Sequence, residues 1–321
     1  MRTGNIAALA DAAAARRRPQ TTTAPQAGPG IGGWLRGGRL RGGGLRSGGL
    51  RSGGLRGGGL RGGGLRGDAR LRGGWLPTAL AGLTVLLQVA YPLTSGTPRD
   101  RLTIATVVVF FLATTSHALT QRGVRWTAAY VAVTAGTGLV AEAVGTATGI
   151  PFGHYTYAGS LGAELLGVPV VIPLAWAMFA YPCLLVGQRL GGTPLRATVV
   201  GGWALATWDL FLDPQMTKAG HWRWSDVRVG LPGAGDVPVS NTLGWLAVGW
   251  AMLAVLQLLP RERRDDRQPY ALFLWTYVSS VLAFAVFFGR PLVALVGAIG
   301  MGMVALPFAR ALRRDLQPGQ T

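Results

Sequence analysis

Residues 270–309 read YALFLWTYVSSVLAFAVFFGRPLVALVGAIGMGMVALPFA. Two apolar runs, near 270–288 and 292–309, are parted only by Gly289-Arg290-Pro291. Each is about the length that crosses ~30 Å of hydrocarbon as a helix, and so short a connection folds them into a tight helical hairpin. Further spans of the same kind lie near 76–92, 102–120, 126–147, 168–187, 195–213 and 239–259. Backbone groups in lipid have no water to bond, so these spans must be helices. The expected fold class is all-α: a polytopic transmembrane helical bundle of about eight spans.

Composition agrees. Only 14% of the 321 residues are charged and 49% are hydrophobic, whereas charged residues supply roughly a quarter of an ordinary soluble chain. A conventional cytosolic enzyme is excluded. Cys183 is the single Cys, and no CxxC or Cys/His pair suggests structural zinc.

The net charge of +18 resembles a nucleic-acid signal until its location is considered. Residues 1–74 hold fourteen Arg against Asp11 and Asp68, and from Leu35 they repeat LRGGG-like pentapeptides. A period of five suits neither helix nor strand, and glycine maximises the entropy cost of ordering. The expectation is a disordered Arg/Gly-rich tail over 1–74, a transmembrane domain over 75–312 and a C-terminal tail over 313–321. No aromatic residue interleaves the repeat to stack bases, so no nucleic-acid partner is expected, and the tail reads as a basic cytoplasmic arm.

Short-loop Arg and Lys set the orientation. With the N-terminus cytoplasmic, eleven basic residues, from Arg122 to Arg314, fall inside, and six, from Arg99 to Arg290, fall outside. Both termini are then expected on the cytoplasmic face of the cell (plasma) membrane.

Three acids lie in or at the rim of the spans: Glu142, Asp209 and Asp213. A carboxyl at membrane depth is costly and faces the bundle interior, where it is a functional candidate. Glu142 shares a helix face with Gly138, Gly145 and Gly149, and Asp209 and Asp213 stack four residues apart beside Gly202 and Ala206. Against this stand structural roles: Asp213-Pro214 also reads as a helix end, and the acids could pair with Arg223. On the assigned topology all three acids sit toward the outer face. The aromatic-rich loops PFGHYTYAGSLGAELLG and DPQMTKAGHWRWSDVRVG, and Asn241 and Trp245, lie at the same end. Interfacial Trp and Tyr are common for amphipathic reasons alone; here they adjoin buried acids. His117 falls at the opposite end and reads as interfacial.

Burial disfavours the charged form of a carboxyl, so an acid in an aromatic cavity can deliver a proton to a base as weak as an alkene. Aromatic faces stabilise the resulting cation by roughly 0.5–2 kcal/mol each, and water can capture it. That set suits hydration or cyclisation of an isoprenoid double bond.

The blocks EAVGTATGIPFGHYTY (142–157), LGVPVVIPLAWAMFAYP (166–182), WDLFLDPQMTKAGHWRW (208–224) and GDVPVSNTLGWLAVGW (235–250) resemble the CruF-type carotenoid hydratase family, over about residues 75–310. The stretch VRVGLPGAGDVPVSN is smaller and more Gly-rich than the tyrosine-containing version of that family. The resemblance implies a cofactor-independent enzyme that adds water to the terminal 1,2 double bond of an acyclic carotenoid end. Lycopene, γ-carotene and the C50 bacterioruberin precursor are the substrates it implies. The lipid bilayer and other carotenoid pathway enzymes would be its surroundings. The expected roles are Asp209 as proton donor and Asp213 or Glu142, through His154 or His221, as the base for water. Trp208, Trp222, Trp224, Tyr155, Tyr157, Trp245 and Asn241 would line or position; no metal is expected. Three other readings stay open: a two-His-one-carboxylate iron hydroxylase built on His154 and His221, an intramembrane prenyltransferase using Asp209-x-x-x-Asp213, and a proton-coupled transporter.

Overall fold

The computed structural model describes residues 64–315, with side chains from Gly74 onward. Most of the Arg/Gly tail and the last residues of the C-terminal tail therefore lie outside the described residues. Eight helices follow in order: α1 (Gly64–Ala90), α2 (Thr97–Arg122), α3 (Val124–Thr148), α4 (Val171–Gly191), α5 (Pro194–Ala219), α6 (Val239–Leu256), α7 (Arg267–Leu282) and α8 (Pro291–Asp315). The backbone of α1 begins within the last pentapeptide repeats, while its apolar part starts at Gly74. At the other end α8 runs on to Asp315, which pairs with Arg189 at 2.7 Å.

Seven of these helices are long and apolar enough to cross a membrane. The remaining one, α5, carries Arg196, Asp209, Asp213 and Lys218 within its 26 residues. It nevertheless runs from one end of the bundle to the other. Gly192, just before it, accepts from Arg261, whereas the chain just after it pairs with the loop that follows α3. Leu86, Val140, Leu243, Ile299 and Met303 are among the large apolar side chains left exposed, as expected for faces turned to lipid.

Successive helices run in alternating directions, and most pack on the next in sequence; α6 and α7 do not, while α2 also packs on α4 and α5 on α8. At one end, Arg122 of α2 meets Asp266 at 2.7 Å, and Trp126 of α3 donates to the Pro260 carbonyl at 3.2 Å. His117 is buried there rather than interfacial, bonded to the Tyr181 hydroxyl at 3.0 Å and the Asp265 carbonyl at 2.9 Å. At the opposite end the α7–α8 hairpin closes as expected. One wide turn, Ala283–Phe287, leads to Gly289 in the left-handed region (φ 64°), and the Arg290 amide donates back to Phe284 at 3.1 Å.

The centre is α4, enclosed along almost its whole length. It and α5 meet backbone to backbone: a Cβ placed on Gly187 would lie 2.4 Å from the Ala197 carbonyl oxygen. Small residues permit this approach, from which dispersion holds helices together in lipid. Gly187→Val must push the pair apart, with an expected loss of about 1–3 kcal/mol, readable as a lower melting temperature in detergent.

Two features depart from the sequence expectation. Pro214 does not end its helix; α5 continues to Ala219, and the Pro214 carbonyl accepts from Arg290 at 2.6 Å. The loops at the α3/α5 end also carry strand pairing, which an all-α expectation does not include. They form short antiparallel pairs: β1 (Tyr155–Tyr157) with β4 (Trp222–Trp224), β2 (Glu164–Leu165) with β3 (Val168–Pro169), and β5 (Gly230–Leu231) with β6 (Ala234–Pro238). The Gly-rich stretch before α6 is that last hairpin. Gly233 turns it with φ 81°, and Gly230 lies so near Gly235 that a Cβ would sit 2.5 Å from its carbonyl oxygen.

Candidate active site

Beneath β1 and β4, a cavity of about 70 Å³ opens among α2, α3, α4, α5 and α6. Strand alternation explains how the loops cover it. Tyr155 opposes Trp224 and Tyr157 opposes Trp222, and all four rings line the cavity, while Thr156 and Arg223 between them are exposed. Arg223 is therefore no partner for the acids. Trp224 Nε1 donates to the Phe152 carbonyl at 2.9 Å, which ties the lid to the chain leaving α3.

On the α3 wall, three donors converge on Glu142. The Tyr155 hydroxyl bonds to Oε2, the Tyr157 hydroxyl donates to Oε2 at 2.7 Å, and Trp176 Nε1 donates to Oε1 at 3.0 Å. Burial first, and then the Glu142 carboxylate, push both tyrosine hydroxyls above their usual range, so they remain donors at any physiological pH. The glycine stripe on α3 is what admits these rings: a Cβ on Gly138 would meet Trp176 at 2.8 Å, and one on Gly145 would meet Phe152 at 2.8 Å and the Tyr155 hydroxyl at 3.0 Å.

On the α5 wall the second acidic group is built differently. Asn241 of α6 spans both carboxyls, donating to Asp209 Oδ2 at 2.9 Å and to Asp213 Oδ2, while Trp222 Nε1 donates to Asp213 Oδ1 at 3.1 Å. Asp213 lines the cavity; Asp209 does not, and sits behind, fully buried, its Oδ1 without a partner among the described residues. Asn241→Leu would strip the bridging donor from two buried carboxyls. The expected cost is about 1–3 kcal/mol of stability per orphaned group, together with loss of activity, measurable by melting and turnover on one preparation.

Aromatic rings complete the walls. Trp176 and Trp245 stack with centroids 3.8 Å apart and planes 13° from parallel, and Trp208 meets Trp245 edge-on at 6.0 Å. Of the expected residues, Glu142, Asp213, Tyr155, Tyr157, Trp222, Trp224, Asn241 and Trp245 come together on the cavity. Asp209 and Trp208 stand one layer back. The two histidines are elsewhere. His154 is exposed, against Gly149. His221 is buried outside the cavity, its Nδ1 2.7 Å from Ser160 Oγ and its Nε2 3.8 Å from Asp100. The two-His-one-carboxylate arrangement is thus not assembled among the described residues. Trp176 and Phe152 reach the site without having been singled out as site residues. The aromatic-polar-aromatic triplets YTY and WRW were the signal that the two loops pair.

Burial holds His221 below the usual histidine range despite Asp100. Unfolded chains take up this proton first, so stability should fall as pH drops below about 6.5, and not above it. Melting temperature against pH tests this, with His221→Asn expected to flatten the acid limb.

Comparison with known proteins gives these residues a context. No solved structure matches the chain. A bisanhydrobacterioruberin hydratase from Haloarcula japonica is 34% identical over 114 residues, covering 34% of this chain and 37% of that protein. The chain thus matches little more than a third of that relative's length. The carotenoid biosynthesis protein family matches residues 102–312, which takes in every side chain of the cavity. The chain belongs to the carotenoid biosynthesis protein family.

Proposed function

We propose that this protein is a carotenoid hydratase, adding water across the terminal 1,2 double bond of an acyclic carotenoid end. One observation carries the reading: two carboxyl groups with different partners, Asp213 and Glu142, face a single aromatic cavity. Asp209 and Asp213 hold one proton between them, because two like charges so close repel when no cation neutralises them. Asp213, the member on the wall, gives that proton to the less substituted alkene carbon, and the tertiary neighbour becomes the cation. This shifts the donor role from Asp209 to Asp213 and makes Asp209 the positioning partner behind it.

The rings of Trp176, Trp245, Trp222 and Tyr157 shield the cation. Water adds to the tertiary carbon and passes a proton to Glu142, which the two tyrosines and Trp176 hold in place as an acceptor. Transfer of that proton back to the aspartate pair resets the site. The carbon–oxygen bond forms at the tertiary carbon, both hydrogens come from water, and no oxidant, reductant or metal is called for.

A cavity of about 70 Å³ has no room for a whole polyene, so the reading confines the reaction to termini. Lycopene, the acyclic end of γ-carotene and a C50 precursor are all suitable, and the Haloarcula relative's name, bisanhydrobacterioruberin hydratase, favours the last. In this reading the protein lies in the plasma membrane, and the arginine count favours cytoplasmic termini with the site toward the outer face. Expression in lycopene-making cells, with pigments separated and weighed, tests the reading. A gain of one water per modified end is expected; unchanged pigment beside well-inserted protein contradicts it.

A further inference from the structure

A second cavity, of about 120 Å³, lies beside the first, among α1, α2, α5 and α7. Thr103, Val107, Leu212 and Met216 line both, so the two spaces share a wall. The second is the more polar: Gln88, Tyr91, Thr106, Gln215, Ser279 and Ser280 all face it. Most threonines of the bundle satisfy their hydroxyl on the carbonyl one turn back, as Thr103 does on Arg99 at 3.0 Å and Thr276 on Leu272 at 2.8 Å. Thr106 does not. Its Oγ1 and the Tyr91 hydroxyl are buried with no hydrogen-bond partner among the described residues, although Gln215 and Thr103 stand near Tyr91.

Buried hydroxyls are almost always bonded, either to protein or to ordered water. A space of this size has room for a few waters, and the two unpartnered hydroxyls are where they would bond. The aromatic reaction cavity offers water few partners beyond its acids, yet one water is consumed in each turnover.

We infer that the second cavity is a water-holding chamber, which keeps the co-substrate beside the reaction cavity and passes it through the wall at Thr103 and Met216. The inference rests on the hydratase reading above. Tyr91, Thr106, Gln215 and Ser280 are positioning residues for water and do not touch the carotenoid.

The test uses full-length protein in liposomes loaded with lycopene, in deuterated water. Protonation by the aspartate pair places deuterium on the chain, and the cation then has two fates. It captures water and becomes alcohol, or it returns a proton and becomes deuterium-exchanged alkene. Thr106→Val and Ser280→Ala, both nearly isosteric, should raise exchanged alkene relative to alcohol by about fivefold, the effect of one lost hydrogen bond to an ordered water. Half-saturation by lycopene should not change. A merely structural defect would lower both products in step and leave the ratio alone. A wild-type ratio in both variants overturns the chamber, as does a change confined to lycopene saturation, which would give the space to the polyene. If wild-type protein forms neither product, the hydratase reading itself has failed, a result distinct from either.

Discussion

Asp213→Asn should abolish both hydration and deuterium exchange, with a loss of about a thousandfold, within the range of positioned acid catalysis. The amide has no proton to give to an alkene. Asp213 is the member of the aspartate pair that lines the cavity, while Asp209 lies behind Asn241. Asp209→Asn should cost less, because the carboxyl on the wall survives, although it loses the neighbouring charge that helps to hold its proton. Folding is a concern in such a tight network, since the new amide would present donors to the Asn241 amide that now donates to Asp213. Insertion and melting are therefore read on the same preparation: protein that inserts and folds yet forms neither alcohol nor exchanged alkene is the expected result, and activity in it would place the proton source elsewhere.

Glu142→Gln should separate the two half-reactions. The three donors around Glu142 suit an acceptor, and glutamine keeps one acceptor oxygen but cannot take a proton from water. Alcohol formation should fall by about a hundredfold, while deuterium exchange into the alkene persists, since the aspartate pair is intact. Measuring both products in one incubation distinguishes this from a general loss of folding, which removes them together. Tyr157→Phe, which removes one donor of three, should be milder. Neither tyrosine should appear in the pH profile of the rate, because burial and Glu142 keep both hydroxyls protonated.

The helical bundle was legible because hydrophobic length alone specifies a spanning helix. The 270–309 hairpin, and the gathering of acids and aromatic loops at one end, follow from that and from alternating topology. Helix boundaries were less so: Asp213-Pro214 looks like a stop locally, but packing against α4 and α6 carries α5 on to Ala219. The aspartates four residues apart were recognisably one group. Which of them faces the cavity was not, because it depends on where Asn241 of α6 docks. Histidine chemistry suggested His154 and His221 for water activation; the fold sends one to the surface and the other to Ser160 and Asp100. Topology puts Trp176 at the same end as the acids, but its bond to Glu142 was not legible, because only the glycine at 138 opposite it allows the indole to reach that carboxyl.

The central claim is that water is added by acid catalysis in the Glu142–Asp213 cavity, and the source of the new oxygen tests it most directly. Purified protein in liposomes is given lycopene in water labelled with heavy oxygen, under ordinary air. The product should be a tertiary alcohol whose oxygen carries the label of the water, and Asp213→Asn should form none. A hydroxyl that takes its oxygen from the air would contradict the account, as would full activity in Asp213→Asn.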